Sequence, residues 1–226
     1  MLTAVLSLVL AAPASQMYYE QSVRMTRGGQ PAGSATSKVY WSGRRIRMES
    51  GDGVLLLQLD TGQAFRLVPA QKLVVELDVE RLRSRAQLDL ATASDALDAG
   101  RDANVRSAPS GPTRSVAGYV CQPHRVRTAT ASFEVCVSRT VPVGMEAFTE
   151  YLQWSGASDA LPGLVEALQR LAGFPLETRA RVEVDGAVYE TTSTITKLVV
   201  GPQPVTLFEP PAGWRLEHEA AEEEEP

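Results

Sequence analysis

The chain has little of what metal or thiol chemistry needs: two cysteines and two histidines in 226 residues. Those four residues lack zinc-ligand spacing, so no metal site is expected. No stretch reaches the roughly 20 apolar residues of a membrane-spanning helix, and the chain is not expected to cross a membrane. Basic residues are not in excess, with 22 Lys and Arg against 27 Asp and Glu, which leaves no nucleic-acid footprint. Neither Gly-x-Ser-x-Gly nor His-Glu-x-x-His occurs. No catalytic residue and no cofactor is expected, and the protein reads as non-enzymatic.

What is present begins at the N-terminus. An apolar run from Ala4 to Ala12, interrupted by one serine, ends in Ala12-Pro13-Ala14. This is the shape of a secretory signal peptide over residues 1–14, with Ala14 at −1 and Ala12 at −3 of the cleavage point. No Lys or Arg precedes the run, so the natural start is expected upstream, and the alternative is a buried N-terminal strand. No cysteine follows the cleavage point to take a lipid anchor. The expected location is periplasmic or secreted.

At the other end, six glutamates fall in residues 217–226 with no Lys or Arg, which reads as a disordered acidic tail. Without them the body carries 22 basic against 21 acidic residues and is nearly neutral. Residues 15–216 are read as a single domain.

Cys121 and Cys136 sit in two alternating segments, 116–126 and 132–140, separated by Thr128-Ala129-Thr130. A hairpin centred between Thr128 and Ala129 puts the cysteines opposite one another, where Cβ atoms stand about 4.5–5.5 Å apart. A secreted protein permits the disulfide. The alternative is two free buried thiols.

Period-2 alternation and turn signals give about ten antiparallel strands. Gly28-Gly29-Gln30-Pro31, Ser42-Gly43, Gly51-Asp52-Gly53, Thr61-Gly62, Pro69-Ala70-Gln71 and Asp185-Gly186 punctuate them. Leu55, Leu57 and Leu59, then Phe65 and Leu67, then Leu73, Val75 and Leu77 predict one apolar face, the other being wet. Residues 80–99 have helical spacing, and 100–114 read as a mobile loop, so 80–114 form an insertion. Met145, Phe148 and Leu152 share one helix face. Leu161, Leu164, Val165, Leu168 and Leu171 form a second stripe that Gly173 stops. The expected fold is α+β: a strongly curved antiparallel sheet, an unclosed barrel, with two or three helices as a lid or plug.

Three features tempt a sharper reading. Asp60-Thr61-Gly62 has the form of an aspartic-protease loop, but that chemistry needs two such carboxylates. It reads instead as a turn. His124 has neither nucleophile nor orienting acid assigned to it, and reads as a core or cavity histidine. Arg44, Arg45 and Arg47, with Arg24 and Arg27, suit anionic head groups; the alternative is the wet face of a strand.

The segments Tyr40-Trp41 through Glu49, Leu57 to Phe65, Leu67 to Leu73, Val116 to Cys121, Gly173 to Glu177, Thr191–Thr196 and Phe208 to Trp214 occur in a telling order. In that order they resemble an uncharacterised family of secreted bacterial proteins, domain of unknown function 4412. More distantly, the chain resembles the superfamily of outer-membrane lipoprotein carriers. The resemblance implies a carrier-like open barrel whose concave face binds a lipid or acylated molecule, and it carries no catalytic residues over. The residues suited by their apolar, aromatic and methionine side chains to line such a cavity are Trp41, Leu57, Phe65, Val75, Met145, Phe148, Leu152, Leu164 and Leu168, with Trp154 beside them. A second expectation is an interaction or sensor module that recognises an envelope protein with the same curved sheet. A monomer is expected in either case.

Overall fold

The computed structural model describes residues 16–51, 53–84, 106–127, 131–143, 145–154, 162–184 and 186–219. The expected signal segment, with Ala12 and Ala14, lies outside them, as do most of the 80–99 helix and the end of the acidic tail.

One unclosed, curved sheet dominates. Its strands are β1 (Gln16–Arg27), β2 (Gln30–Ser42), β3 (Arg45–Ser50), β4 (Gly53–Gln58), β5 (Gln63–Val68) and β6 (Leu73–Leu77). After the insertion come β7 (Arg106–Pro109), β8 (Arg114–Val116), β9 (Tyr119–Arg127) and β10 (Ala131–Ser138). Two helices follow, α1 (Met145–Trp154) and α2 (Pro162–Gln169), and then β11 (Phe174–Val184), β12 (Ala187–Val200) and β13 (Arg215–His218). The spatial order is β13-β6-β5-β4-β3-β2-β1-β12-β11-β10-β9-β7, with β8 on β9. The fold is therefore mostly β rather than α+β, and the sheet has 13 strands where about ten were expected.

The extra strands are short and lie at edges. β7 falls in the stretch read as a mobile loop, and β13 reaches into the stretch read as acidic tail. Neither alternates in hydropathy, because an edge strand is held by its ladder to one neighbour rather than by burying a face. β13 is moreover parallel to β6, the one parallel pair among the described strands. The meander β1–β6 follows the turn signals closely. Gly28-Gly29 is a two-residue connection between Arg27 and Gln30, with both glycines at positive φ (56° and 78°), as the tightest hairpin turn requires. The next turn is Gly43-Arg44, one residue later than the Ser-Gly dipeptide suggests.

The predicted division into one apolar and one wet face fails at β4–β6. Met17, Val39, Trp41, Ile46, Leu57 and Ala64 gather on one face, called here the core face, with Cys121, Cys136 and Phe174 in the same cluster. The register pairs Leu56 with Phe65 and Leu67 with Val74 on the opposite face, where they form a second cluster with Trp214 packed against it. The C-terminal segment covers that face. Phe208 is buried in the short 3-10 turn Val205–Phe208, and Arg47 and Gln58 donate to the Leu207 and Phe208 carbonyls, each at 3.2 Å. Alternation is uninformative where both faces are covered.

The Cys121–Cys136 disulfide is formed, with Cα atoms 5.4 Å apart. The register differs from the predicted one: Pro123, not Cys121, stands opposite Cys136. A slip of two residues keeps every side chain on its face, so the pairing survives the error.

Candidate functional site

Both helices lie over the core face. Leu168 and Leu171 of the α2 region pack on Val135 and Val137, with Leu152 of α1 beside them. The ladders pair Val135 with Thr178, Thr178 with Ser193 and Ser193 with Val23, which shares its face of β1 with Met17, so these valines belong to the core face. Tyr151 and Trp154, at the end of α1, pack against the core-face cluster. Helix α1 thus bridges the two clusters along one face.

Of the predicted lining residues, Trp41 and Leu57 are packed core, only 3% and 1% exposed. Phe65 belongs to the opposite-face cluster, so it does not share a surface with them. Val75 is buried on β6, in register with Arg66. Leu152 and Leu168 lie together over β10, on the same face as Trp41 and Leu57. The side chains of Met145, Phe148 and Leu164 lie outside the described residues. None of the six described positions lines the cavity at the end of α1.

This cavity of about 620 Å³ opens at the C-terminal end of α1, within the usual range for small-molecule sites. Leu59, Leu77, Val79 and Trp154 supply its apolar walls, and Arg44, Gln63, Glu76, Arg83, Glu150 and Gln153 are among its polar ones. The chain builds it economically. β6 ends at Leu77, and Asp78 then accepts the backbone N–H groups of Glu80 (2.9 Å) and Arg81 (3.2 Å), capping the helical stretch over 79–84. From that stretch Arg83 donates to the Trp154 carbonyl at 2.7 Å, tying it to the end of α1. Arg44, in the β2–β3 turn, pairs with Glu150 of α1 at 2.7 Å. Trp154 keeps its indole N–H buried without an acceptor. Burial pushes the Tyr151 phenol up, so the ring next to this wall stays neutral.

Sequence reasoning singled out Trp154 here but missed Val79, Arg83 and Glu150. The available signal was Leu77-Asp78-Val79, where a strand pattern passes through a capping residue into a helical one.

The predicted arginine cluster is dispersed. Arg44 pairs with Glu150, Arg45 with Asp60 and Arg47 with Glu49. Arg27 lies over the Tyr189 ring, and Arg24 stands on β1. Asp60-Thr61-Gly62 is a turn closed on the Gln58 carbonyl, which accepts from Gly62 N–H at 2.8 Å, and Asp60 is exposed. His124 stands opposite Val135 and Pro109, neither of which offers a nucleophile or an acid.

Burial, with Arg139 adding to it, lowers the His124 pKa below its ordinary 6.5. The unfolded chain then binds a proton at higher pH than the folded one. Stability is expected to be full above pH 6.5 and to fall as pH drops from there through the lowered folded value. His124→Gln should flatten that part of the melting temperature–pH profile; an unchanged profile would clear His124 of this role.

The Domain of unknown function (DUF4412) model matches residues 19–214. No curated protein matches the chain. Among solved structures, one of PNGF-II is 12% identical over 92% of this chain and 31% of its own, with a TM-score of 0.34. This chain therefore spans about a third of that one. A crystal structure of a LolA superfamily protein from Nitrosomonas europaea is 7% identical over 87% of this chain and 91% of its own, also at 0.34. Similarity at that level does not define a shared fold. The family model spans nearly the whole described sheet, and the chain belongs to the DUF4412 family.

Proposed function

We propose that this protein is a non-enzymatic binding protein of the cell envelope or extracellular space, holding an amphipathic ligand with a lipid-like or acyl portion. The cavity at the end of α1 carries the reading: Leu59, Leu77, Val79 and Trp154 offer an apolar lining beside a charged mouth. A cavity of this composition suits a ligand that is apolar at one end. The mouth carries Arg44 and Arg83 against Glu76, Asp78, Glu80 and Glu150. That balance favours a neutral or cationic head over a free carboxylate. The disulfide supports the location, because such bonds persist in oxidising compartments.

The test uses the neutral fluorophore N-phenyl-naphthylamine. Its emission should rise saturably on titration with the protein, and monoacylglycerol should displace it. Gln153 is exposed at the cavity mouth, so Gln153→Trp fills space without disturbing the core. It should weaken probe binding roughly tenfold, the equivalent of about 1.4 kcal/mol, while leaving the melting temperature nearly unchanged. Wild-type protein that binds neither probe nor lipid would defeat the proposal and favour the envelope interaction module.

A further inference from the structure

The far end of the sheet carries a second surface, independent of the cavity. The ladders align Thr26, Glu190, Arg181, Ser132 and Arg127 in one row across β1, β12, β11, β10 and β9, and Arg106 holds the next position on β7. Two residues along, a second row runs Arg24, Thr192, Arg179, Glu134 and Arg125. Directly paired residues share a face, and so do residues two apart in one strand. Both rows therefore lie on the same face, with arginines about 10 Å apart across alternate strands and about 7 Å apart along one.

The acids on this face are engaged. Glu134 and Glu177 both hold Arg114, Glu134 also meets Arg125, Glu190 lies 3.8 Å from Arg181, Glu20 pairs with Lys197 and Glu49 with Arg47. Arg24, Arg127 and Arg179 are exposed and make no ion pair among the described residues. The surface is thus locally basic on a chain whose net charge is −5. Lysine is scarce throughout (Lys38, Lys72 and Lys197), and arginine's planar fork is the side chain that grips oxyanions in two-point contacts.

Between the arginines the floor is hydroxylated, with Ser22, Thr26, Thr192, Thr194 and Ser132. On the same face a depression of about 340 Å³ opens beside the rows, with Ser22, Thr36, Lys38 and Thr196 in its lining beside the paired carboxylates of Glu20 and Glu49. Met25 and Tyr189, the exposed large hydrophobics at this end, fall on the other face by register. A bilayer-docking surface needs such apolar side chains beside its basic ones. This face has hydroxyls instead.

We propose that this arginine and threonine face binds an extended anionic polysaccharide. Its acidic groups would meet the guanidinium rows, and its hydroxyls would meet the serine and threonine floor.

Dextran sulfate, neutral dextran and phosphatidylglycerol vesicles separate the possibilities. Dextran sulfate should bind saturably, with affinity falling as salt screens the contacts, and neutral dextran should bind far more weakly. The double variant Arg127→Ala/Arg179→Ala should lose roughly tenfold or more in affinity, two exposed ionic contacts being worth that much. Arg66→Glu on β5 makes the same change in net charge at an exposed site away from these rows, and should leave affinity within about twofold of wild type. Three results would overturn the proposal: no binding of dextran sulfate, equal losses in Arg66→Glu and the double variant, or binding confined to the vesicles. Melting curves of all variants exclude loss of fold as the cause.

Discussion

Gly173→Ala is expected to be the most damaging single-methyl change in this protein. Gly173 immediately precedes β11 with φ 120°, and a Cβ built there would meet the Ser138 carbonyl oxygen, with the Ser138 carbonyl carbon at 2.8 Å and Val137 Cγ1 at 2.9 Å. Two of those three atoms are backbone, so no rotamer change relieves the contact. Strain at such a φ and overpacking each cost roughly 1–3 kcal/mol, so a loss of about 3 kcal/mol or more is expected. In a chain of this size that lowers the melting temperature by about 6–12 °C. Gly43→Ala and Gly62→Ala are the controls. Both glycines have positive φ (60° and 71°), yet a Cβ at either meets nothing within 4 Å. They should cost about 1 kcal/mol each. A Gly173→Ala loss no greater than theirs would mean that β10 and β11 separate cheaply, contrary to the close approach described.

Removal of the disulfide should have a comparable effect by a different route. The bond links residues 15 apart and is buried, with Cys121 1% and Cys136 0% exposed. Closing a loop of that length restricts the unfolded chain and is worth about 3 kcal/mol by chain-entropy arithmetic. Reduction, or Cys121→Ala/Cys136→Ala, should therefore lower the melting temperature by about 6–12 °C. Non-reducing peptide mapping of secreted protein should recover the two cysteine peptides joined. Equal melting temperatures with and without reductant would refute the expected stabilisation. Two freely alkylated thiols in the native protein would refute the bond itself.

The disulfide and Gly173 also mark how far a linear reading reaches. The cysteine pairing was legible because it depends on parity and spacing within one hairpin, and a register slip of two leaves parity intact. Gly173 was legible as a stop, but not as a contact. Helix α2 ends at Gln169, and the glycine is required four residues later by a strand that is distant in sequence. The same division holds for the candidate sites. Leu77-Asp78-Val79 shows a strand giving way to a cap, but only the Arg83–Trp154 and Arg44–Glu150 contacts close a cavity there. Arg24, Arg127 and Arg179 are unremarkable in sequence, since three strands from different parts of the chain must align before they share a face.

By itself, the sequence determined the antiparallel meander, most of its turns, the disulfide partners and the family. Each depends on local backbone preference, on period-2 alternation or on motifs in order along the chain. Tertiary structure decided which face each apolar residue occupies. Phe65 and Leu57 are both strand leucine-like hydrophobes in the pattern, yet they lie on opposite sides of the sheet. The C-terminal segment makes that possible by covering the second face, and nothing in the alternation of β4 or β5 announces a cover that arrives 150 residues later, where Gln58 meets Phe208.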